Sequence, residues 1–290
     1  MLGERLRGWF GGGAAPRRVL VMGLDCAEPS LVFERWRESL PTLAGLMERG
    51  TWGRMVSTVP AITVPAWASM ISSKDPGQLG LYGFHNRADY SYRPLTIATA
   101  ASLKEPMLAD ILGKAGKSVA LVGVPPSYPP RPVNGVMVGC FLTPGTEKPF
   151  TWPPELSAEI KAEIGEYLVD VPNFRSEDKD QLIANLERMT GQHFALIKRL
   201  LAKQAWDFFM FVEIGVDRAH HGLWKFHDPG HPKFVAGNPY EHAIRDYYIR
   251  LDRRLAEVLA LAGDDTVVWV VSDHGAKTMR GGFCLNEWLI

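Results

Sequence analysis

The sequence is short of cysteine, of net charge and of long apolar runs, and each shortage excludes something. Its three cysteines, Cys26, Cys140 and Cys284, are odd in number and far apart, which argues against a disulfide framework and fits a reducing compartment. Thirty-two basic residues balance thirty-two acidic ones, so neither nucleic acid nor an anionic membrane is expected as the main partner. No stretch approaches the roughly 20 consecutive apolar residues of a membrane span. The first 18 residues carry basic side chains with Trp9, Phe10 and a few Gly and Ala where a signal peptide needs a continuous apolar segment. The expectation is a cytoplasmic protein with no membrane span. Internal repeats and low-complexity tracts are absent too. What is present is 46% apolar residues over 290 positions, ample material for one large core.

Residues 1 to 17 read as a short lead ending in the flexible linker Gly11-Gly12-Gly13, and one domain is expected from 18 to 290. Val19 to Leu24 is apolar throughout but too short for a helix, which suits a strand buried on both faces and ending at Asp25. A helix from Leu40 to Arg49 stops at Gly50. A second strand is expected near Gly53 to Val59, then a helix from Pro65 to Ser72, a turn at Asp75-Pro76-Gly77, and a helix from Leu108 to Ala115. Strands are expected at Val119 to Gly123 and Val136 to Gly139. Residues 143 to 180, with prolines and charges, look like an excursion from the sheet that caps the site. Beyond it, long helical patterns at Leu182 to Ala202 and Tyr240 to Leu261 alternate with strands at Phe208 to Val212 and Val267 to Val271. Trp206 to Phe211 reads as core. Alternation of this kind predicts an α/β fold, a mostly parallel sheet with helices on both faces, because parallel neighbours need crossovers. Ligands of such sheets bind beyond the carboxyl ends of the strands.

Chemistry-bearing residues fall at those ends: Asp25 after the first strand, Thr63 after the second, Glu213 and Asp217 after the Phe-rich one, and Asp273-His274 after the last. Thr63 opens a helix, so its hydroxyl is either a helix cap or a nucleophile. Asp217 and His221 lie four apart, which puts both on one side of a helical turn. They can share a metal or be a capping Asp with a surface His. Asp273-His274-Gly275 can equally be an ordinary strand-to-loop turn, but two carboxylates and two imidazoles at one sheet edge suit zinc. Glu213 is placed to orient a ligand from behind, His227 and His231 read as turn residues around Asp228-Pro229-Gly230, and Lys277 as an exposed cation close enough to meet a phosphate.

Taken together, Gly23-Leu24-Asp25, Pro60-Ala61-Ile62-Thr63-Val64-Pro65, Asp217 to His221, and Ser272-Asp273-His274-Gly275 resemble the alkaline phosphatase superfamily, and within it the phosphodiesterase/nucleotide pyrophosphatase branch. The resemblance runs from Val19 to Ile290 in the family's order, with 85 to 205 matching in general pattern only. It implies a hydrolase of phosphodiester or pyrophosphate bonds acting on a small-molecule, nucleotide-like substrate. By the same resemblance Asp25, Thr63, Asp273 and His274 surround one divalent metal, Asp217 and His221 hold a second, zinc first or manganese, and Thr63 is the nucleophile. His220 is the alternative to His221. Two departures stand out. The family's second site takes a further His from downstream, and no His follows His274 here, so a chain lacking its C-terminal part is expected; and Ala66-Trp67 stand where the branch usually has Asn after the nucleophile's Pro. The rivals are a phosphomutase of the same superfamily and a non-catalytic metal- or phosphate-binding remnant. A sulfatase is disfavoured because its nucleophile is Cys or Ser.

Overall fold

The apolar run that opens the fold is a strand, β1 (Val19–Leu24), buried because its side chains alternate between two cores. Leu20, Met22 and Leu24 join the larger core and Val21 the smaller, as the two-residue period of a strand requires. The computed structural model describes residues 18–290 apart from 90, 92 and 93, and of Asn286 the backbone alone; the lead expected at 1 to 17 lies outside the described residues. After β1 come α1 (Pro41–Arg49), α2 (Thr63–Ser72), the single turn α3 (Pro76–Leu79) and a small hairpin, β2 (His85–Arg87) with β3 (Leu95–Ile97). The chain continues through α4 (Leu108–Lys114), β4 (Val119–Val122), β5 (Gly135–Val138), β6 (Thr151–Trp152), α5 (Glu155–Ile164) and α6 (Lys179–Lys203). It closes with β7 (Phe208–Glu213), α7 (Gly215–His227), α8 (Ala243–Ala262), β8 (Val267–Val271) and α9 (Leu285–Leu289).

Six strands form one sheet in the order β6-β5-β4-β7-β1-β8, parallel throughout except for β6, which runs against β5. The larger core fills the face covered by α1, α6, α7 and α8, and the smaller one the face covered by α2 and α4. This is the expected α/β architecture. Register then sets the site. Gly23 lies opposite Val212 on one side and Val271 on the other, so two residues further on Asp25 and Asp273 leave the sheet at the same level.

The strand expected near Gly53 to Val59 is not one: residues 51 to 58 are irregular. Their β-branched and apolar side chains have the right local preference, but they pair neither with β1, which β7 and β8 already flank, nor with the outer edge of β8. Val56, 94% exposed, runs over the surface instead. Thr63 therefore follows no strand. The 143 to 180 excursion contains one segment that rejoins the sheet, since Trp152 and Thr151 pair with Met137 and Val138. Coil following α5 then returns across α7, where Asp170 and Phe174 meet Arg218. The Trp and Phe residues of the stretch from Trp206 to Phe211 are core, as expected.

Candidate active site

Three elements deliver the first cluster: Asp25 follows β1, Asp273-His274 follows β8, and Thr63 opens α2. A close approach inside the sheet makes this possible. A Cβ on Gly23 would stand 2.7 Å from Cη2 of Trp67 and 2.9 Å from the Phe211 carbonyl oxygen, so only glycine lets the α2 indole lie across β1. In that position Trp67 Nε1 donates to Asp25 Oδ2 at 2.8 Å. Asp273 is held in turn by the backbone N–H of Cys26, which donates to Oδ1 at 3.1 Å. One oxygen of each carboxylate is thereby fixed, and the other is aimed inward.

Those inward oxygens, Asp25 Oδ1 and Asp273 Oδ2, are buried without a hydrogen-bond partner. They converge on His274 Nε2, at 3.8 and 3.3 Å. His274 Nδ1 lies 3.1 Å from the Gly275 carbonyl, so both ring nitrogens face oxygen acceptors, and which of them donates is set by the tautomer. Thr63 Oγ1 is 3.1 Å from that Nε2. The hydroxyl does not cap α2: Ile62 is the capping residue, through its carbonyl to the Ala66 N–H, and it has no side-chain cap. Two buried carboxylate oxygens without a hydrogen-bond partner repel one another. Burial first, then the charges of Asp273 and Asp217, hold the Asp25 carboxyl well above the usual carboxylate range, and burial raises Asp273 as well. Such a set of O, O and N donors, with a hydroxyl beside it, fits a divalent cation of the zinc or manganese type.

The second pair lies on α7, where one helical turn sets His221 Nε2 3.5 Å from Asp217 Oδ1. Asp217 is buried, whereas the imidazole is half exposed and rests against the ring of Phe174. Burial, opposed by Asp217 and reinforced by Arg218 and Arg175, pushes the His221 pKa down, so the ring is a neutral donor near pH 7. Asp217 Oδ2 is already engaged at 2.7 Å by Nη1 of Arg218. Among the described residues, Asp25, Asp273 and His274 form the one convergent group of three or more such ligands; Asp217 and His221 contribute two donors to a position that needs more.

Other residues singled out from the sequence go elsewhere. His220 is no alternative ligand, because its Nδ1 lies 3.4 Å from Cys26 Sγ and its Nε2 3.3 Å from the Tyr248 hydroxyl. Burial, then the neighbouring His227, His221 and His274, pull its pKa down to about 3. Glu213 does not reach the site from behind: its carboxylate accepts from the Gly215 N–H at 2.9 Å and lies 3.2 Å from His193 Nδ1. His227 is not a turn residue but the buried last residue of α7, packed on Trp36. His231 does sit in the following turn, and Lys277 is exposed on the rim of an open groove of about 1290 Å³ that also reaches Asp273, His274, Trp52 and Met55. Sequence reasoning missed Trp67, Arg218 and Asp170. Arg218 stood in plain view beside Asp217; Asp170 carried no local signal at all.

The strand ends of a parallel sheet thus gather two carboxylates and an imidazole beside a helix-opening threonine. The sequence pattern of the type I phosphodiesterase / nucleotide pyrophosphatase family matches residues 19–290, and the chain belongs to that family. Among solved structures, phosphonoacetate hydrolase from Sinorhizobium meliloti 1021, in complex with phosphonoformate, superposes with a TM-score of 0.59 at 22% identity over 90% of this chain. A putative sulfatase from Bacteroides thetaiotaomicron VPI-5482 gives 0.55 at 12% over 90%, and a mutant of the alkaline phosphatase PafA gives 0.56 at 15% over 91%. These likenesses show that the chain shares the fold of those proteins. The chain spans 57%, 59% and 64% of those three proteins' lengths. No curated protein matches it significantly. No helix among the described residues is long and apolar enough to cross a membrane.

Proposed function

We propose that this chain carries the catalytic centre of a metal-dependent hydrolase of phosphodiester or pyrophosphate bonds in a small-molecule, nucleotide-like substrate, with Thr63 as nucleophile. The observation that carries the reading is the Thr63 hydroxyl 3.1 Å from His274 Nε2, beside two inward carboxylate oxygens that nothing else satisfies. Asp25, Asp273 and His274, with Thr63, hold one divalent cation, zinc or manganese; Asp217 and His221 contribute to the second. Bound there, the cations supply the positive charge that steadies the attacking and leaving oxygens and eases loss of the threonine proton.

The protein's own groups do the rest. Thr63 Oγ sits at the positive end of α2, where a negative oxygen is favoured. Attack of Oγ on phosphorus forms a P–O bond to Thr63 as the ester P–O bond opposite breaks, and the leaving oxygen departs with the electron pair and takes up a proton. Water then attacks the phospho-threonine, the Thr63–phosphorus bond breaks, and the hydroxyl is restored. A diester suits the site better than a monoester. Arg218, the buried guanidinium beside Asp217, has three of its five N–H donors held by Asp170 and Asp217, which fixes it there rather than leaving it free to fork onto a monoester's extra charged oxygen.

Thr63→Ala tests the reading. The hydroxyl caps nothing, so the variant is expected to fold normally while hydrolysis of bis(p-nitrophenyl) phosphate with added zinc or manganese falls by at least about a thousandfold. Near-wild-type turnover by folded Thr63→Ala would refute the nucleophile. Release of phosphoryl groups to an alcohol acceptor and none to water would turn the reading toward the mutase.

A further inference from the structure

We propose that Asp170 is a positioning residue for the second cation: by holding the Arg218 guanidinium from its outer edge, it leaves Asp217 with an oxygen and a net charge to offer beside His221. The inference rests on the reading of Asp217 and His221 as cation ligands.

Arg218 follows Asp217 directly on α7 yet is buried. Its Nε and Nη2 donate to Asp170 Oδ1 and Oδ2 at 2.7 and 2.8 Å, a two-pronged fork. Phe141 and Phe174 lie against the guanidinium, their ring centres 5.0 and 4.4 Å from Cζ, and the plane is thereby fixed. With Nε and Nη2 taken, Nη1 alone turns to Asp217, and it meets Oδ2 at 2.7 Å. Oδ1 is left facing His221 Nε2 at 3.5 Å. Asp170 is itself preset, because its Oδ1 accepts the N–H of Val171 at 2.7 Å.

Charge leads to the same conclusion as geometry. One guanidinium stands against two carboxylates, so the group keeps one negative charge for a cation. Without the Asp170 charge the sum is zero, and the freed fork of Arg218 can swing both its N–H edges onto Asp217 and occupy both oxygens. The group is partly open to water, with Asp170 26% and His221 48% exposed, so that difference acts on an incoming ion through partial screening. Asp170 also comes from the coil after α5 that crosses α7, so the same contact ties the excursion between β5 and α6 to the site.

Calorimetric titration of the 290-residue chain with zinc tests this. His221→Ala identifies the event that belongs to the second position. Asp170→Asn, at a side chain 26% exposed, is expected to weaken that event by about 10- to 100-fold and to leave the event at Asp25, Asp273 and His274 unchanged. Asp170→Glu is expected to recover most of the loss. Arg218→Gln removes the competing cation and is expected to leave the event at least as tight as in the wild type, which also answers the question should Asp170→Asn fail to fold. A purely structural Asp170 would lower the unfolding temperature without moving the second event, and that result overturns the proposal. So does Arg218→Gln weakening the event. If no event responds to His221→Ala, the two-cation reading falls and takes this one with it, whereas the role of Thr63 is decided separately by its own variant.

Discussion

At the scale of single residues, the site depends on side chains that never touch a substrate. Asp25 is fully buried, and a carboxylate in that position needs donors to stay in one orientation. Trp67 Nε1 supplies one at 2.8 Å, and Gly23 supplies the space for the indole. Trp67→Phe keeps most of the packing and deletes the donor. It is expected to cost about 1–3 kcal/mol in urea unfolding, the penalty of leaving a buried acceptor unpaired, and to raise the Asp25 pKa further. A loss under about 0.5 kcal/mol would mean that the bond stabilises nothing. This arrangement also shows where sequence reading stops. The places of Asp25 and Asp273-His274 at strand ends, and of Asp217 and His221 on one helical turn, are legible because a charged or imidazole group that ends an apolar run, or shares a helical face with another, is a local signal. Trp67 and Asp170 are not, because their partners Asp25 and Arg218 lie 42 and 48 residues away and no local pattern encodes such a pairing.

Elements show the same division. The buried runs β1, β4 and β7 and the amphipathic helices α6 and α8 follow from periodicity, with ends within a few residues of expectation. The failed strand at 53 to 59 has suitable residues but pairs with no strand, and a place in a sheet is assigned by topology rather than by composition. Between elements, the end of β7 is tied to α6 and α8: Glu213 lies 3.2 Å from His193 Nδ1 and 3.3 Å from the Tyr247 hydroxyl, and accepts the N–H of Gly215 where α7 begins. Burial alone would lower the His193 pKa, but the charge and hydrogen bond of Glu213, the Leu168 carbonyl and Asp170 outweigh it and raise the net value. A histidine whose folded pKa exceeds its unfolded value of about 6.5 contributes stability that is full below that pH and lost as pH rises through the folded pKa. His193→Gln, which keeps a donor but no charge, is therefore expected to be less stable than wild type at pH 6, with the gap closing toward pH 9. Urea unfolding at several pH values measures it; a gap constant with pH, or one that widens as pH rises, would show that the pair is not charged.

Over the whole molecule, the candidate cation site is a cross-link between distant parts of the chain. Asp25, Thr63 and Asp273 come from β1, α2 and β8, and meet because parallel register brings the ends of β1 and β8 to one level while Trp67 docks α2 across β1. The fold assembles this cluster at a cost, since two buried carboxylates face each other with oxygens that have no partner. A cation bound there replaces repulsion by attraction and joins three segments at once. It stabilises the folded chain alone, because the unfolded chain holds these groups apart. Zinc at about a hundred times its dissociation constant is thus expected to raise the unfolding temperature by roughly 4 to 5 °C relative to chelator, from about 2.7 kcal/mol of linkage spread over a domain of this size. Asp273→Asn makes the argument specific. Asn keeps the oxygen that accepts the Cys26 N–H but removes one of the two opposed charges, so in chelator the variant should melt higher than wild type. In zinc it should melt lower, because its site lacks a charged ligand. Thermal scans of both proteins in both solutions provide the test: a variant that gains as much from zinc as wild type does, or that melts lower in chelator as well, would mean that the Asp25–Asp273 opposition is not what a cation relieves.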